Sequence, residues 1–335
     1  MTSSANGRIF LTGAAGMIGS NVARALLGQG REVIGVDNLW RGRQATVDSL
    51  RAVPGFTYRH ADIAADQDWF VDIGGDDTLI HTADIVAGIG FVFSNEWQVF
   101  QKNVLINTQV ARVANRFAPR QLIYLGTACS YPQGLQRSVD DSVLREGDKF
   151  PADPESGYGW GKLVGEIEFA LAVKDRPTTL TVLDLHNVYG WPCVYDDATS
   201  QVIPSLINKA LTARDGKLHV WGDGRQGRAF LHVRDVVQAV GKAIGYAGGE
   251  RAIMIGPDRC TTIREVAELI QAHPRVRIDE IVYDTTKPTG DIGRFADPAL
   301  ARRELGWEES VVFGDGLYEL IEAIADDKAR NDGRA

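Results

Sequence analysis

The first half of the chain alternates between short apolar runs and longer stretches in which apolar residues recur at helical spacing. The apolar runs predict buried strands at 8–12, 32–36, 78–82, 121–126 and 179–185. The helical spacing predicts helices at 17–29, 98–117 and 158–174. Strands that alternate with helices in this way predict a parallel sheet with helices on both faces, an α/β fold. Ligands of such a sheet bind at the carboxyl ends of its strands, so we expect the functional site there.

The alternation weakens after Tyr189-Gly190-Trp191-Pro192, which indicates a second and smaller α/β unit. We expect the segment 229–247 to return to the first unit as a strand and a helix. Surface helices of the second unit are expected at 261–273 and 297–306. The predicted domains are therefore a first domain at 1–187 and 229–247, a second at 188–228 and 248–328, and a flexible tail at 329–335.

A glycine-rich loop joins the first predicted strand to the first predicted helix, with the sequence Thr12-Gly13-Ala14-Ala15-Gly16-Met17-Ile18-Gly19. Glycines at this spacing allow a tight turn, close approach of the backbone to a pyrophosphate, and close packing of the helix on the sheet. The next strand ends in Asp37, about 20 residues further on, where a carboxylate accepts hydrogen bonds from an adenosine ribose. The pattern predicts a Rossmann-type, doubly wound dinucleotide-binding domain. Its predicted cofactor-binding residues are Gly13, Gly16, Met17, Ile18, Gly19, Asp37 and Asn38.

Composition excludes several classes of function. The chain has 335 residues and a net charge of -8, which argues against a general binder of nucleic acid or anionic membranes. No apolar run is long enough to span a bilayer, and the first seven residues lack the pattern of a signal peptide. The three cysteines are widely spaced, which indicates neither a disulfide framework nor a metal cluster. We therefore expect a cytoplasmic protein with reduced thiols and no metal.

Candidate catalytic residues occur at the start of the helix predicted at 158–174, where Tyr158 and Lys162 share one face. A free phenol has a pKa of about 10, and a neighbouring ammonium lowers it. The pair can then take a proton from a sugar hydroxyl while hydride leaves the same carbon for a nicotinamide. Thr127, at the end of the strand 121–126, can hydrogen-bond the same oxygen. Tyr-x-x-x-Lys is common on surface helices, but the glycine loop and Thr127 favour catalysis.

These motifs together resemble the extended short-chain dehydrogenase/reductase family, which acts mainly on nucleotide sugars, and the resemblance covers nearly the whole chain. It implies that Asp62-Ile63 contacts adenine, that Thr82-Ala83 lies beside the nicotinamide, and that Asn187 lies where the chain enters the substrate domain. The family's arginines at the positions of Arg228 and Arg294 contact the substrate diphosphate, as bidentate guanidinium groups can. The alternative is that both are ordinary surface arginines.

Two branches of the family share further segments with this chain. Gly88-Ile89-Gly90-Phe91-Val92 and Thr127-Ala128-Cys129-Ser130-Tyr131-Pro132 resemble GDP-mannose 3,5-epimerase. Cys129, the segment 200–204 and the segment 287–290 resemble GDP-fucose synthase, a 3,5-epimerase and 4-reductase. Both branches use the cysteine at this position as an acid or base on the carbon that is inverted. A free thiol has a pKa of about 8.5 and can serve either way, although a small buried apolar role for Cys129 is the alternative.

The chain departs from both branches at the second acid/base. The epimerases have a lysine just before the proline that matches Pro204, and the synthases have a histidine at Gln201. Glutamine cannot transfer protons at neutral pH. A water can substitute, as can one of several nearby side chains: His186, Cys193, Asp196, Asp197 or Lys209. Lys209 can instead contact a substrate phosphate.

The expected function follows from the cofactor. Asp37 repels a 2′-phosphate and so favours NAD over NADP, although Arg41 and Arg43 follow closely. A bound and recycled NAD favours an epimerase, so we expect an NAD-dependent nucleotide-sugar epimerase similar to GDP-mannose 3,5-epimerase. It would oxidise C4 of a GDP-hexose transiently and invert C5, C3 or both. The alternatives are a nucleotide-sugar 4-reductase or 4-dehydrogenase, and a non-catalytic NAD(H)-binding regulatory protein.

The predicted site and assembly are then as follows. The catalytic residues are Thr127, Cys129, Tyr158 and Lys162, of which Tyr158 and Lys162 also contact the cofactor. The substrate-binding residues are Gly88, Asn187, Lys209, Arg228 and Arg294.

Helices 98–117 and 158–174 carry more apolar surface than one core face needs, which predicts a homodimer through them. Asp84, just beyond the strand 78–82, has no interpretation at this level.

Overall fold

The computed structural model describes residues 7–66, 68–70, 72–140, 142–249, 251–287 and 292–332. Its helices are α1 (Met17–Gly28), α2 (Gln44–Arg51), α3 (Ile89–Ser94), α4 (Glu96–Phe117), α5 (Gly157–Val173), α6 (Val202–Thr212), α7 (Val233–Ala243), α8 (Ile263–Gln271), α9 (Ala299–Leu305) and α10 (Phe313–Asp332). Its strands are β1 (Ile9–Thr12), β2 (Val33–Asp37), β3 (Phe56–His60), β4 (Thr78–His81), β5 (Gln121–Thr127), β6 (Val143–Leu144), β7 (Thr179–Leu185), β8 (Asn187–Tyr189), β9 (Lys217–Trp221), β10 (Gly227–Arg228), β11 (Phe230–His232), β12 (Ile253–Ile255), β13 (Thr261–Thr262), β14 (Glu280–Asp284) and β15 (Phe295–Ala296).

Seven parallel strands form the central sheet, in the order β12-β7-β5-β4-β1-β2-β3. The chain moves outward from β1 through β2 to β3 and then returns to β4 on the other side of β1. This reversal is the topological switch point of a doubly wound sheet, and a crevice opens there at the carboxyl ends of the strands. The predicted Rossmann-type α/β fold is confirmed.

Alternate residues of the buried strands pack on opposite faces of the sheet. Ile9 and Leu11 belong to a core formed with α1 and α7. Phe10, between them, belongs to a second core formed with α4 and α5. Both faces are therefore covered, which explains why β1 is continuously apolar rather than alternating with polar residues.

A separate apolar core supports the smaller α/β unit. It joins α6, α8 and α10 to the parallel pair of β9 and β14. Within the described ranges, no helix combines the length and the apolar character that crossing a membrane requires. The segments 288–290 of the synthase-like motif and 333–335 of the predicted tail lie outside the described residues.

Several predicted boundaries are wrong. β12, assigned to the second domain, pairs with β7 in the central sheet, and α9 packs against β12 and α7 rather than within the second core. β11 pairs with β8 outside the central sheet, and its Leu231 packs in the core formed with α1 and α7. The residues 329–332 of the predicted flexible tail continue α10. The three residues of β12 are too few for a period to be recognised, so only the sheet reveals their place.

Candidate active site

A cleft of about 640 Å³ opens at the carboxyl ends of the central strands, between the sheet and the second core. It brings together the residues that the sequence predicts for catalysis, cofactor binding and substrate binding. The following line it: Gly13, Gly16, Met17, Ile18, Gly19, Asp37, Asn38, Asp62, Ile63, Thr82, Ala83, Gly88, Thr127, Cys129, Tyr158, Lys162, Asn187, Lys209, Arg228 and Arg294. Their individual roles stay predictions.

The glycine loop has the geometry that a dinucleotide requires. Gly13 has a φ of +71°, a left-handed conformation that side chains rarely adopt. A Cβ on Gly19 would lie 2.1 Å from the carbonyl oxygen of Gly13, so only glycine lets α1 approach the loop this closely. α1 begins at Met17, and the free N–H groups of its first turn form a site for phosphate at the edge of the cleft.

Asp37 connects the end of β2 to the glycine loop. Its Oδ2 accepts a hydrogen bond from the Ala15 amide at 2.9 Å, and its Oδ1 accepts one from the Leu39 amide at 2.7 Å. The arginines that follow are engaged elsewhere. Arg43 pairs with Asp327 at 2.6 Å, and Arg41 donates to the carbonyl oxygen of Val86. The arrangement fits the ribose diol of NAD better than a 2′-phosphate, which needs a cation beside it.

Buried hydrogen bonds connect β1 and β4 to α4 and α5 behind the cleft. Thr12 Oγ1 lies 2.7 Å from His81 Nδ1, and His81 Nε2 lies 3.0 Å from Asn107 Oδ1. Because the amide oxygen can only accept, His81 donates through Nε2 and accepts from Thr12 through Nδ1. Asn107 in turn donates to the carbonyl of Gly161 at 3.2 Å, which fixes the first turns of α5. Burial lowers the pKa of His81 to about 3, so the ring is neutral.

Tyr158 and Lys162 both contact Asp84, which follows β4. The Tyr158 hydroxyl donates to Asp84 Oδ2 at 3.3 Å, and Lys162 Nζ pairs with the same oxygen at 3.0 Å. Burial lowers the pKa of Lys162, but the Asp84 carboxylate outweighs this effect and the pKa is raised. The sequence predicts that Lys162 lowers the pKa of Tyr158. The net direction in the structure is the opposite, because burial, then Asp84 and Cys129, raise that pKa well above its ordinary value.

Cys129 lies in a 3₁₀ turn, Ala128–Ser130, that follows β5 directly. Thr127 begins the turn, and its Oγ1 accepts from the Cys129 amide at 3.2 Å. The turn packs against the start of α5, since a Cβ on Gly159 would lie 2.1 Å from the Cys129 carbonyl oxygen. Glycine in the Tyr-Gly-Trp-Gly-Lys segment is therefore what allows Cys129 and Tyr158 to share one site.

A buried charged network supports this turn from below. The Tyr131 hydroxyl donates to Asp184 Oδ2 at 3.0 Å. Lys149 Nζ lies 2.6 Å from the same oxygen and 2.5 Å from Glu166 Oε2. Asp184 and Lys149 are almost fully buried, so each needs the other's charge. The network fixes the backbone that carries Thr127 and Cys129.

Arg294 lies beside Cys129. Its Nη2 donates to the Cys129 Sγ at 3.0 Å, and its Nη1 donates to the buried Gln136 Oε1. Only 4% of Arg294 is exposed, and the residue lines the cleft together with Cys129. There it can neutralise negative charge that develops on the sulfur. The surface alternative for Arg294 is wrong, and its role in binding a diphosphate stays a prediction, as does that of Arg228.

Four of the five side chains considered as the second acid/base line the cleft: His186, Cys193, Asp197 and Lys209. The fifth, Asp196, does not lie among the described lining residues. Burial, then Arg294, lower the pKa of His186 to about 3, so its ring is neutral. Burial raises the pKa of Cys193 to about 12 and lowers that of Lys209.

Sequence reasoning missed two residues of the site. Asp84 had no interpretation, although its place just after β4 puts it at the carboxyl edge of the sheet. Arg41 was considered only as a ligand for a 2′-phosphate, yet it reaches the loop after β4 and lies near Asp84 and Tyr158. A polar residue directly after a central strand was the available signal for Asp84.

A family model and several known proteins are similar to this chain. A family model described as "NAD dependent epimerase/dehydratase family" matches residues 9–256. The chain is 27% identical over 310 residues to GDP-mannose 3,5-epimerase 1 of Oryza sativa subsp. japonica, covering 92% of this chain and 79% of the relative. It is 28% identical over 321 residues to putative GDP-L-fucose synthase 2 of the same organism, covering 93% and 85%. The solved UDP-glucose 4-epimerase of Thermotoga maritima, with UDP-glucose, aligns with a TM-score of 0.83 at 23% identity, covering 96% and 99%.

Proposed function

Because the chain belongs to the NAD dependent epimerase/dehydratase family, we propose that it is a nucleotide-sugar epimerase similar to GDP-mannose 3,5-epimerase. The family gives the cofactor as NAD, and the glycine loop and Asp37 fit that molecule. The reaction would oxidise C4 of a GDP-hexose transiently, invert a neighbouring carbon, and reduce C4 again. Similarity to the plant epimerases supports the GDP-hexose substrate.

The observation that carries the proposal is the thiol of Cys129 in the same cleft as Tyr158, with Arg294 donating to its sulfur at 3.0 Å. An enzyme that only moves hydride at C4 needs the tyrosine and no second proton-transferring group. A thiol with a neighbouring guanidinium can remove a proton from carbon and return it. That proton becomes acidic only when the adjacent C4 is a ketone.

Each residue then has a defined task. NAD, when bound, would supply the redox chemistry, which is reversible hydride transfer at C4. Tyr158 Oη takes the proton of the C4 hydroxyl and later gives it back. Thr127 Oγ1 already accepts from the Cys129 amide, so its own O–H is left to donate to the sugar oxygen. Cys129 Sγ exchanges the proton on the carbon next to C4, and Arg294 balances the charge on sulfur.

Incubation of the purified protein with GDP-mannose, without added cofactor, tests the proposal. We expect a sugar isomer to accumulate with no net change in nicotinamide absorbance. An absorbance change equal to the product formed would instead support a 4-reductase or 4-dehydrogenase, which the fucose-synthase relatives make the next candidate. If neither an isomer nor a redox product forms from GDP-mannose or other nucleotide hexoses, the non-catalytic NAD(H)-binding protein is the alternative that remains.

Replacing Asp37 with Asn should weaken NAD binding about 10- to 10²-fold, because a hydrogen bond to a charged group contributes about 1.5–3 kcal/mol. Discrimination against NADP should fall as well, since the charge that repels a 2′-phosphate is gone. Calorimetric titration of nucleotide-free protein with each dinucleotide measures both effects. Asp48→Asn, on the exposed face of α2, is the control and should bind as the unaltered protein does. If Asp37→Asn discriminates between NAD and NADP as the unaltered protein does, Asp37 does not contact the ribose.

A homodimer remains part of the proposal. α4 and α5 pack side by side and leave large apolar side chains exposed: Trp97, Leu105, Trp160, Ile167 and Leu171. Such a patch favours burial against a second copy of the same helices. The cytoplasmic location also stays a proposal.

A further inference from the structure

The loop after β2 crosses the carboxyl edge of the central sheet. In that sheet, β1 lies between β2 and β4. Arg41 follows the end of β2, yet it donates to the carbonyl oxygen of Val86, which follows β4. The loop therefore passes across the end of β1, where the glycine loop begins, and spans two strand spacings of about 5 Å each. We call residues 39–43 the strap.

The strap lies directly on the glycine loop. A Cβ on Gly42 would lie 2.4 Å from the Cβ of Ala15. Trp40 packs against Phe91 of α3, and their ring centroids are 6.2 Å apart. Leu39 begins the strap with a φ of +61°, a left-handed conformation that residues other than glycine rarely adopt. Contacts with the surrounding structure, rather than the preference of the backbone, therefore hold the strap in place.

The far end of the strap is tied to the smaller α/β unit through Arg43, which directly precedes α2. Its Nη1 pairs with Asp327 Oδ2 of α10 at 2.6 Å, and its Nη2 donates to the carbonyl oxygen of Cys193 at 3.3 Å. The guanidinium lies over the rings of Trp191 and Tyr195, 5.3 and 5.2 Å from their centroids. Because α10 and Tyr195 belong to the second core, this contact joins the strap to that core.

The Asp327 carboxylate connects the groups at this end of the strap. Its Oδ2 accepts from the Tyr195 hydroxyl at 2.8 Å as well as from Arg43. Asn331 and Arg330, further along α10, contact the same carboxylate at the longer distances of 3.5 and 3.7 Å. The side chain of Asp327 is only 15% exposed, so water screens its pair with Arg43 less than it screens a surface pair.

We propose that Asp327 is a positioning residue for the cofactor, which acts through Arg43 to hold the strap closed across the glycine loop. A dinucleotide held by the glycine loop and Asp37 then leaves only after the strap opens. The protein therefore keeps one NAD through successive turnovers. The inference rests on the cofactor alone, and it depends neither on the sugar nor on the carbon that is inverted.

The rate at which the cofactor is released tests this proposal. Protein loaded with NADH is mixed with excess NAD, and the loss of bound-NADH fluorescence gives the dissociation rate. Asp327→Asn should release NADH about 10-fold faster than the unaltered protein, because it loses the charge that holds Arg43. Release at the unaltered rate would overturn the proposal. No nucleotide sugar is present, so an unaltered protein that proves inactive as an epimerase does not change what the release rates show.

Two further variants separate the charge of Asp327 from the packing of α10. Asp326→Asn removes a charge from the preceding residue, which pairs with Arg275 at 2.6 Å near the end of α8, and it should release NADH at the unaltered rate. Asp327→Glu keeps a carboxylate for Arg43 and should restore slow release. If Asp326→Asn releases NADH as fast as Asp327→Asn, or if Asp327→Glu does, the charge of Asp327 does not hold the strap and the proposal is wrong.

A double variant covers the case in which Asp327→Asn does not fold because Arg43 is left without its carboxylate. Arg43→Gln with Asp327→Asn removes both charges of the pair together. It should release NADH about 10-fold faster than the unaltered protein, and at the same rate as Arg43→Gln alone, because Asp327 acts through Arg43. Release at the unaltered rate, or release clearly faster than that of Arg43→Gln alone, would refute this role of Asp327.

Discussion

Tyr158→Phe lowers epimerisation by about 10²- to 10⁴-fold, the range over which a positioned acid or base acts. The substitution removes only the Oη that exchanges the C4 proton and leaves the ring in place. NAD should therefore stay bound at the same stoichiometry, because the glycine loop and Asp37 lie at the other end of the cleft. Isomer formation and the nicotinamide content of the purified protein are the two measurements.

A matched control separates this effect from the loss of any phenol. Tyr246→Phe removes a hydroxyl that contacts Glu304 near the surface, outside the described lining of the cleft. It should leave both measurements unchanged. Tyr158→Phe that retains full turnover would show that another group takes the C4 proton. Tyr158→Phe that loses its NAD would mean that the residue acts mainly in cofactor binding.

The dinucleotide half of the site could be predicted because its signals are local. The glycine loop and Asp37 lie within a single strand-loop-helix-strand unit, and the structure brings them to one cleft. The long helices α1, α4 and α5 follow the predicted ranges closely because their periodic apolar faces span several turns. β3 was missed because it is an edge strand with polar and half-exposed positions, and its pairing with β2 stabilises it.

The reacting half of the site could be predicted only in part, since it depends on contacts between distant residues. Asp84 and Tyr158 are 74 residues apart, and Cys129 and Arg294 are 165 residues apart. No local spacing encodes either pair. For this reason, the sequence predicts that Lys162 lowers the pKa of Tyr158, whereas in the structure burial, and after it the Asp84 carboxylate, raise that pKa.

Replacing Cys129, which contacts Arg294, separates epimerisation from simple redox chemistry most sharply. Cys129→Ser should reduce solvent deuterium uptake at C5 or C3 of the sugar by about 10²-fold or more, because a hydroxyl is a far weaker acid than a thiol and hardly ionises near neutrality. Oxidation at C4 should persist, since Tyr158 and Thr127 are unchanged. Deuterium in the recovered sugar is measured by mass spectrometry, and C4 oxidation by reduced nicotinamide formed in a single turnover.

Cys260→Ser is the matched control for this substitution. The Cys260 thiol donates to the carbonyl of Arg294 at 3.1 Å, so it contacts the same arginine without belonging to the described lining of the cleft. It should take up deuterium at the rate of the unaltered protein. Equal uptake in Cys129→Ser would exclude the thiol as the carbon acid/base. If uptake is lost at one carbon but kept at the other, a second group exchanges the proton at the remaining carbon. His186 and Lys209 line the cleft and are candidates for that group.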